Sequence, residues 1–191
     1  MRFLFVHQNF PGQYVHLATH LANIPGNEVV CISQRRGPAL KGIRKIHYQP
    51  RREITKGIHH YLQTTEAAIV NAQEVARCAA QLKREGFKPD LMIGHNGWGE
   101  IWYLKDIFPR SPLLGYFEFF YRFHGADTGF DKNDTITADT APRIRTRNTG
   151  NLIGLEAVDW GQCPTLWQRS VYPLRAQSML SVIHDGIDTR S

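Results

Sequence analysis

Residues 1–34 read MRFLFVHQNFPGQYVHLATHLANIPGNEVVCISQ, in which an apolar run is followed by a turn, a helical pattern and a second apolar run. The first run, Arg2–Gln8, is typical of a buried strand because it is rich in Phe, Leu and Val and too short for a helix. Apolar residues recur at helical spacing as far as Leu21, and Pro25-Gly26-Asn27 ends that helix. The second run, Glu28–Gln34, follows directly, so the stretch predicts a strand–helix–strand unit.

The same alternation continues along the chain and predicts an α/β fold. Further strands are predicted over Ile43–Gln49, Leu91–Gly94, Pro112–Phe120, Gln162–Thr165 and Ser178–Ile183. Helices are predicted over Ile58–Glu85, Glu100–Phe108, Thr140–Val158 and Leu166–Tyr172. Because uninterrupted apolar strands alternate with helices, we expect an open, mostly parallel sheet with helices on both faces. The link Arg35–Gly42 is short for a helical crossover, so the third strand is predicted to cross by a loop or to run antiparallel.

The composition is that of one folded domain. The chain has 191 residues, of which 42% are hydrophobic and 21% charged, and this is enough apolar material for a core. No apolar run reaches the roughly 18 residues of a membrane-spanning helix, and the N-terminus lacks the pattern of a signal peptide. Cys31, Cys78 and Cys163 are widely spaced and odd in number, which favours reduced thiols. We therefore expect a cytoplasmic protein.

Positive charge is concentrated in residues 35–56, the basic window. It holds eight Lys or Arg residues against one acid, Glu53, whereas the whole chain has a net charge of +6. Such a window suits an anionic membrane surface or a phosphorylated small molecule, and a plain solvated strand edge is at least as good an interpretation. Only Tyr48 interleaves with the charges, so no nucleic-acid partner is predicted. Lipid binding would make the protein peripheral at the inner face of the membrane.

Several enzyme classes are excluded by missing motifs. The sequence has no GxxxxGK[ST] phosphate loop, no GxGxxG after the first strand and no GxSxG nucleophile elbow. No two aspartates are separated by one residue, so a D-x-D metal grip on a sugar nucleotide is missing. His16 and His20 have the spacing of a zinc pair but lie off the apolar helix face, as solvated residues do. We predict neither a metal site nor a bound cofactor.

Polar and aromatic residues collect where the predicted strands end, which is where open α/β sheets bind ligands. The first strand is followed by His7, Gln8 and Asn9 and then by a turn that contains Gly12. Such residues suit a sugar, since they hold hydroxyl groups and stack on its apolar face. The predicted substrate-binding residues are Gly12, Gln13, Asn96, Trp98 and Tyr121. His95 and Glu118 interrupt apolar runs at the same edge and are predicted to be functional, whereas His184 and Asp185 are interpreted as turn residues.

Four segments together resemble the family 4 glycosyltransferases. Residues 1–22, followed by NEVVCIS at 27–33, are similar to the first strand, glycine turn, helix and second strand of that family. KPDLMIGHNGWGE at 88–100 resembles the segment whose histidine faces the donor sugar. CPTLWQRSVYP at 163–173 and VIHDGIDT at 182–189 resemble two later signatures, the second of which is the linker into a following domain.

The resemblance implies a GT-B architecture, in which two Rossmann-like domains face a cleft. Residues 1–191 would be the N-terminal, acceptor-side domain, and the domain that binds the nucleotide sugar would follow residue 191. It also implies metal-independent transfer of a sugar, with retention of configuration, from a nucleotide sugar to a hydroxyl of a carbohydrate or lipid-linked acceptor. The 191-residue chain alone is expected to be inactive. The alternative is a non-enzymatic Rossmann-like domain with a binding or regulatory role.

The family motifs also give roles to single residues. Gly12 would lie near the diphosphate of the donor, and His95 would be catalytic and lie near the transferred sugar. Glu118 is predicted to be the second catalytic residue on the strength of its position alone. We expect the imidazole of His95 to point into an open cleft, where it would donate a hydrogen bond. The alternative is that His95 caps a helix or bonds the neighbouring backbone.

Overall fold

A computed structural model describes residues 1–126, 131, 133, 135–187 and 189. One sheet has the strand order β3-β2-β1-β4-β5-β6-β7, and all of its neighbouring strands run parallel. This confirms the predicted α/β fold with an open parallel sheet. The strands are β1 (Arg2–Val6), β2 (Glu28–Ser33), β3 (Ile43–His47), β4 (Leu91–His95), β5 (Leu113–Tyr116), β6 (Trp160–Cys163) and β7 (Leu180–Val182).

Helices cover both faces of the sheet. Alternate residues of β1 therefore pack in two different apolar clusters, one on each face. Leu4 and Val6 pack in the cluster that contains Ala72 and Val75, whereas Phe3 and Phe5 pack in the other. The helices are α1 (Val15–Ala22), α2 (Gln63–Arg84), α3 (Leu104–Ile107), α4 (Thr140–Arg147), α5 (Thr149–Ala157), α6 (Leu166–Ser170) and α7 (Leu174–Gln177). No helix in the described part of the chain is both long and apolar enough to cross a membrane.

The third strand lies parallel to β2 and is reached by a loop, so the loop crossover is confirmed and the antiparallel alternative is wrong. Two predicted helices differ in the structure. The helix predicted over Glu100–Phe108 is formed only by α3, because residues 97–103 make turns. The helix predicted over Thr140–Val158 divides at Asn148, whose side chain is used to hold the backbone of Tyr121. The predicted polar loop before Thr137 falls partly outside the described residues.

The structure divides the basic window by its partners. Three of its arginines pair with acids of α2 or with the acid that directly follows it: Arg51 with Glu74, Arg52 with Glu66 and Arg44 with Glu85. The arginine is exposed in each pair, whereas Glu74 and Glu66 are largely buried, and the pairs neutralise the charge on this side. The other side, at the end of β3, is a shallow hollow lined by residues that include Arg35, Arg36, Lys45 and His47. Binding of this hollow to an anionic membrane stays a prediction.

Candidate functional site

A cavity of about 310 Å³ opens at the carboxyl ends of β4 and β5, between the first turns of α2 and the start of α5. Five of the seven predicted site residues line it: His95, Asn96, Trp98, Glu118 and Tyr121. They meet there because β4 and β5 are paired, with His95 opposite Tyr116 in the register. The site therefore forms where parallel strands end, as the sequence predicts.

His95 is the buried centre of this site. Its side chain is 3% exposed, and its ring is stacked between Trp98 at 4.7 Å and Tyr116 at 5.2 Å, measured between ring centroids. Nδ1 accepts the backbone N–H of Gly97 at 2.8 Å, so the proton of the neutral ring lies on Nε2. The expectation of an imidazole that points into an open cleft is wrong, because the ring is buried between Trp98 and Tyr116. The alternative, a bond to the neighbouring backbone, is observed at Nδ1.

The turn that carries Trp98 depends on Gly99. Its φ of +86° lies in the left-handed region, and a Cβ there would come within 2.5 Å of the carbonyl oxygen of Ala68. Asn71 of α2 then donates a hydrogen bond to the carbonyl of Trp98 at 3.2 Å. The turn is thereby held against α2 with the indole over His95.

Glu118 faces the one ring nitrogen of His95 that the turn leaves free. Its Oε2 lies 3.3 Å from Nε2, but the geometry is not that of a hydrogen bond, and Nε2 is buried without a partner among the described residues. The carboxyl side chain itself is 54% exposed. The nearby imidazole of His95 lowers the pKa of Glu118, so this group is a carboxylate at neutral pH. It can accept a hydrogen bond from a ligand hydroxyl while Nε2–H donates another.

His7 joins the site, although no role beyond its place at a strand end is predicted for it. Its ring lies 5.3 Å from that of His95 and 5.6 Å from that of Trp98. Nδ1 accepts the N–H of Asn9, and Nε2 lies 2.9 Å from Oε1 of Gln13, so His7 has both nitrogens satisfied. Burial and the neighbouring His95 lower the pKa of His7 to about 4, which keeps it neutral at pH 7.

Gly12 and Gln13 reach the site through His7 and do not line the cavity. Gly12 has φ +48°, and a Cβ there would come within 2.7 Å of the imidazole of His7. Only glycine therefore lets the turn pass this ring without strain. The same turn places the amide of Gln13 beside Nε2 of His7.

Asn96 lines the cavity, but its amide is used within the protein. Oδ1 accepts the indole N–H of Trp102 at 3.0 Å, and Nδ2 contacts Oδ1 of Asn151 at 3.3 Å and the carbonyl of Gly150 at 3.4 Å. These bonds tie the β4 turn to α5. Its predicted contact with substrate stays a prediction.

Asp185 is a further residue of the site that the sequence analysis set aside. The hydroxyl of Tyr116 donates to Oδ2 of Asp185 at 3.0 Å, which holds the phenol ring against His95. Burial, together with this bond, raises the pKa of Tyr116. This bond adds a structural contact to the interpretation of Asp185 as a turn residue, and His184 accepts the N–H of Gly186 within the turn.

A protein-family model described as the glycosyl transferase family 4 group matches residues 25–191 of this chain. No curated protein sequence matches it. The fold is similar to UGT2 of Phytolacca americana, solved with UDP-2-fluoro-glucose and pterostilbene, with a TM-score of 0.62 and 8% identity. This match covers 100% of the present chain and 53% of the other.

Two further solved structures share the fold. Os79 from O. sativa, in complex with UDP and deoxynivalenol-3-glucoside, has a TM-score of 0.55 and 9% identity over 87% of this chain and 47% of its own. UDP-GlcNAc 2-epimerase from Neisseria meningitidis, bound to UDP-GlcNAc, has a TM-score of 0.50 and 13% identity over 95% and 45%. At these identities the likeness concerns the fold alone. The chain spans about half the length of each structure.

Proposed function

The chain belongs to the glycosyl transferase family 4 group, and from this premise we propose that it is the acceptor-side domain of a two-domain GT-B glycosyltransferase. Its match to about half the length of similar structures supports a two-domain enzyme. The proposed reaction moves a sugar from a nucleotide sugar to a hydroxyl of a carbohydrate or lipid-linked acceptor. Retention of configuration and metal independence are proposed from the motif resemblance and from the missing D-x-D pair.

One observation carries the proposal: in an aromatic-lined cavity, a buried donor that has no partner among the described residues lies beside an ionised acceptor. Nε2–H of His95 is the donor, and the carboxylate of Glu118 is the acceptor. Trp98 and Tyr121 supply ring surface to the same cavity. A sugar presents hydroxyl groups at its rim and apolar C–H faces, which this combination of groups would bind.

The proposed roles follow from the protonation states. Glu118 would accept a hydrogen bond from the acceptor hydroxyl and orient it towards the donor sugar. His95 would donate Nε2–H to oxygen charge that develops on the sugar or on the leaving diphosphate. Gly12 and Gln13 would lie beside that diphosphate, at the short helical turn Gly12–Tyr14 that leads into α1. His7 would position Gln13 through its Nε2 atom, and the ring of His7 would pack edge-on against that of His95.

A nucleotide-sugar donor is supported by the ligands of the similar structures. UGT2 is solved with UDP-2-fluoro-glucose and Os79 with UDP, and both share the fold of this chain. The second candidate is a non-enzymatic binding or regulatory domain, because the cavity alone also suits a bound sugar that is not transformed. The glycosyltransferase and the non-enzymatic domain differ in whether the protein consumes a nucleotide sugar.

The first test measures sugar binding by the 191-residue chain. Titration with a panel of glycosides, followed by NMR signals of the indole N–H groups, should show binding that Trp98→Ala weakens by about tenfold or more, as loss of an aromatic contact of about 1.4 kcal/mol does. Trp160→Ala is the matched control, because Trp160 is 48% exposed on β6 and bonds Ser181. Binding unaffected by Trp98→Ala would contradict the proposed site.

The second test separates the enzyme from the binding domain. The chain alone should neither transfer sugar nor hydrolyse a nucleotide sugar, and turnover by it would contradict the proposed domain assignment. Joined to a nucleotide-sugar domain, it should release nucleoside diphosphate when an acceptor is added. No release from any donor tested, with folded domains that bind sugar, would favour the non-enzymatic alternative.

A further inference from the structure

The guanidinium group of Arg147 forms part of the cavity wall. Arg147, the last residue of α4, lies with Cζ 3.9 Å from the ring centroid of Tyr121, and both residues line the cavity. This distance is that of a cation–π contact, which holds the flat guanidinium against the ring and leaves its N–H edge free.

The stack is fixed in place by the next residue along the chain. Asn148 is buried, and its Oδ1 accepts the backbone N–H of Tyr121 at 2.9 Å. Its Nδ2 donates to the carbonyl of Tyr121 at 2.7 Å, so both backbone groups of Tyr121 are held by one amide. Because Asn148 follows Arg147 directly, the guanidinium and the ring are brought together by the fold.

Arg147 is exposed and, like Arg143 and Arg145 of the same helix, makes no ion pair among the described residues, but it differs from both in lining the cavity. Arg44, Arg52 and Arg77 each bond a glutamate, whereas Arg122 and Arg169 donate to backbone carbonyls. Within the described residues, no carboxylate lies within ion-pair distance of Arg147. A planar guanidinium that is positioned but not neutralised is suited to bidentate binding of a carboxylate or phosphate.

The two charged groups of the cavity differ in sign and give a ligand one orientation. Glu118 is a carboxylate beside His95 and would repel an anion, whereas Arg147 would attract one. Resting on the function proposed above, we infer that the acceptor is an anionic sugar whose carboxylate or phosphate binds Arg147. Its reacting hydroxyl then lies at the Glu118 and His95 end.

Ligand-observed NMR on the 191-residue chain at low ionic strength tests this inference. The probes are methyl β-glucuronide, glucose 6-phosphate and methyl β-glucoside, which share a sugar ring and differ in charge. The acidic probes should bind about tenfold more tightly than the glucoside, the effect of one charge-assisted contact. Comparing glucuronide with phosphate shows which oxyanion is preferred.

Arg147→Gln should bring the affinities for the acidic probes and for the glucoside to within about twofold of each other. Arg147→Lys should retain part of the preference, because it keeps the charge and loses the planar fork. Arg145→Gln is the control, since this exposed arginine of the same helix does not line the cavity. Circular dichroism of each variant confirms folding.

The outcomes distinguish the inference from the proposed function. Equal affinity for acidic and neutral probes overturns the inference and leaves a sugar-binding domain intact. A preference that survives Arg147→Gln also overturns it, because another cation would then be recognising the charge. Failure to bind any sugar, acidic or neutral, overturns the proposed function as well.

Discussion

The carboxyl group of Glu100 makes a quantitative prediction, because it is buried and only half satisfied. Glu100 is 1% exposed and lies two residues after Trp98. Its Oε1 accepts the hydroxyl of Tyr48 at 2.8 Å, whereas Oε2 is buried without a partner among the described residues. Burial disfavours the charged form and raises the pKa of Glu100 from 4.5 to about 7, although hydrogen bonds from its own N–H and from Tyr48 oppose the shift.

The sign of the effect on stability follows from proton binding. Between pH 4.5 and about 7 the folded chain holds the Glu100 proton and the unfolded chain does not, so stability falls as the pH rises through this range. A pKa difference of about 2.5 corresponds to about 3 kcal/mol, since one pKa unit is about 1.4 kcal/mol. Glu100→Gln keeps the shape of the side chain and removes the charge. The variant should therefore gain about 2 to 3 kcal/mol over the native chain between about pH 5 and pH 8.

Urea unfolding of Glu100→Gln and of the native chain at about pH 5 and at about pH 8, followed by circular dichroism, measures this gain. Glu85→Gln is the matched control of opposite sign. Arg44 lowers the pKa of the exposed Glu85, so its carboxylate adds stability above pH 4.5 and the variant should be no more stable at the higher pH. If the difference between Glu100→Gln and the native chain is the same at both pH values, water or a partner stabilises Glu100 and the reasoning is refuted.

His7 has the opposite effect over nearly the same pH range. Its pKa is lowered to about 4, so the folded chain binds fewer protons than the unfolded chain between pH 4 and 6.5, and stability rises with pH. The two effects offset each other in the native protein. In Glu100→Gln the rise due to His7 should appear alone, which gives the variant a steeper increase in stability up to pH 6.5 than the native chain shows.

Three further predictions follow from the site and the surface. In a protein with both domains, His95→Ala should lower kcat by about 100-fold or more through loss of a transition-state donor, and a near-normal kcat in a steady-state assay would make His95 structural. Gly12→Ala should lower the free energy of unfolding by about 1 to 3 kcal/mol, because the new Cβ would meet the ring of His7. Gly26→Ala is the control and should cost less, because its Cβ would meet nothing within 4 Å. Equal losses in urea unfolding would show that the ring of His7 moves aside. Sedimentation with vesicles should show salt-sensitive binding to anionic lipid. Arg36→Gln should weaken this binding more than Arg52→Gln, because Arg52 is already paired with Glu66. Equal binding to anionic and neutral vesicles would exclude an anionic lipid surface as the partner.

The sheet and its binding edge could be predicted because they depend on local patterns. Arg2–Val6 and Leu91–His95 are short apolar runs, and both form central strands paired in parallel. Once the strands are placed, the residues that follow them must meet at one edge. This is why five of the seven predicted site residues line one cavity.

Contacts between distant parts of the chain were not visible in the sequence. Arg147 stacks on Tyr121, and Asp185 bonds Tyr116, across separations of 26 and 69 residues. Nothing in the residue types near Arg147 distinguishes it from Arg145, which is also exposed on the same helix but does not line the cavity. The division of the long predicted helix at Asn148 has the same origin, because the cause is a bond to a backbone far away in the sequence.

The two histidines at the strand ends show where local reasoning stops. His7 and His95 each end a buried strand, and each accepts through Nδ1 the backbone N–H two residues later, at Asn9 and Gly97. A sequence can therefore predict the turn and the tautomer, since both depend on adjacent residues. It cannot predict what meets Nε2, which is Gln13 for His7 and the poorly aligned Glu118 for His95. The first partner satisfies its histidine, whereas the second leaves a buried N–H without a partner among the described residues, and this difference is the physical basis for proposing a catalytic role for His95 rather than for His7.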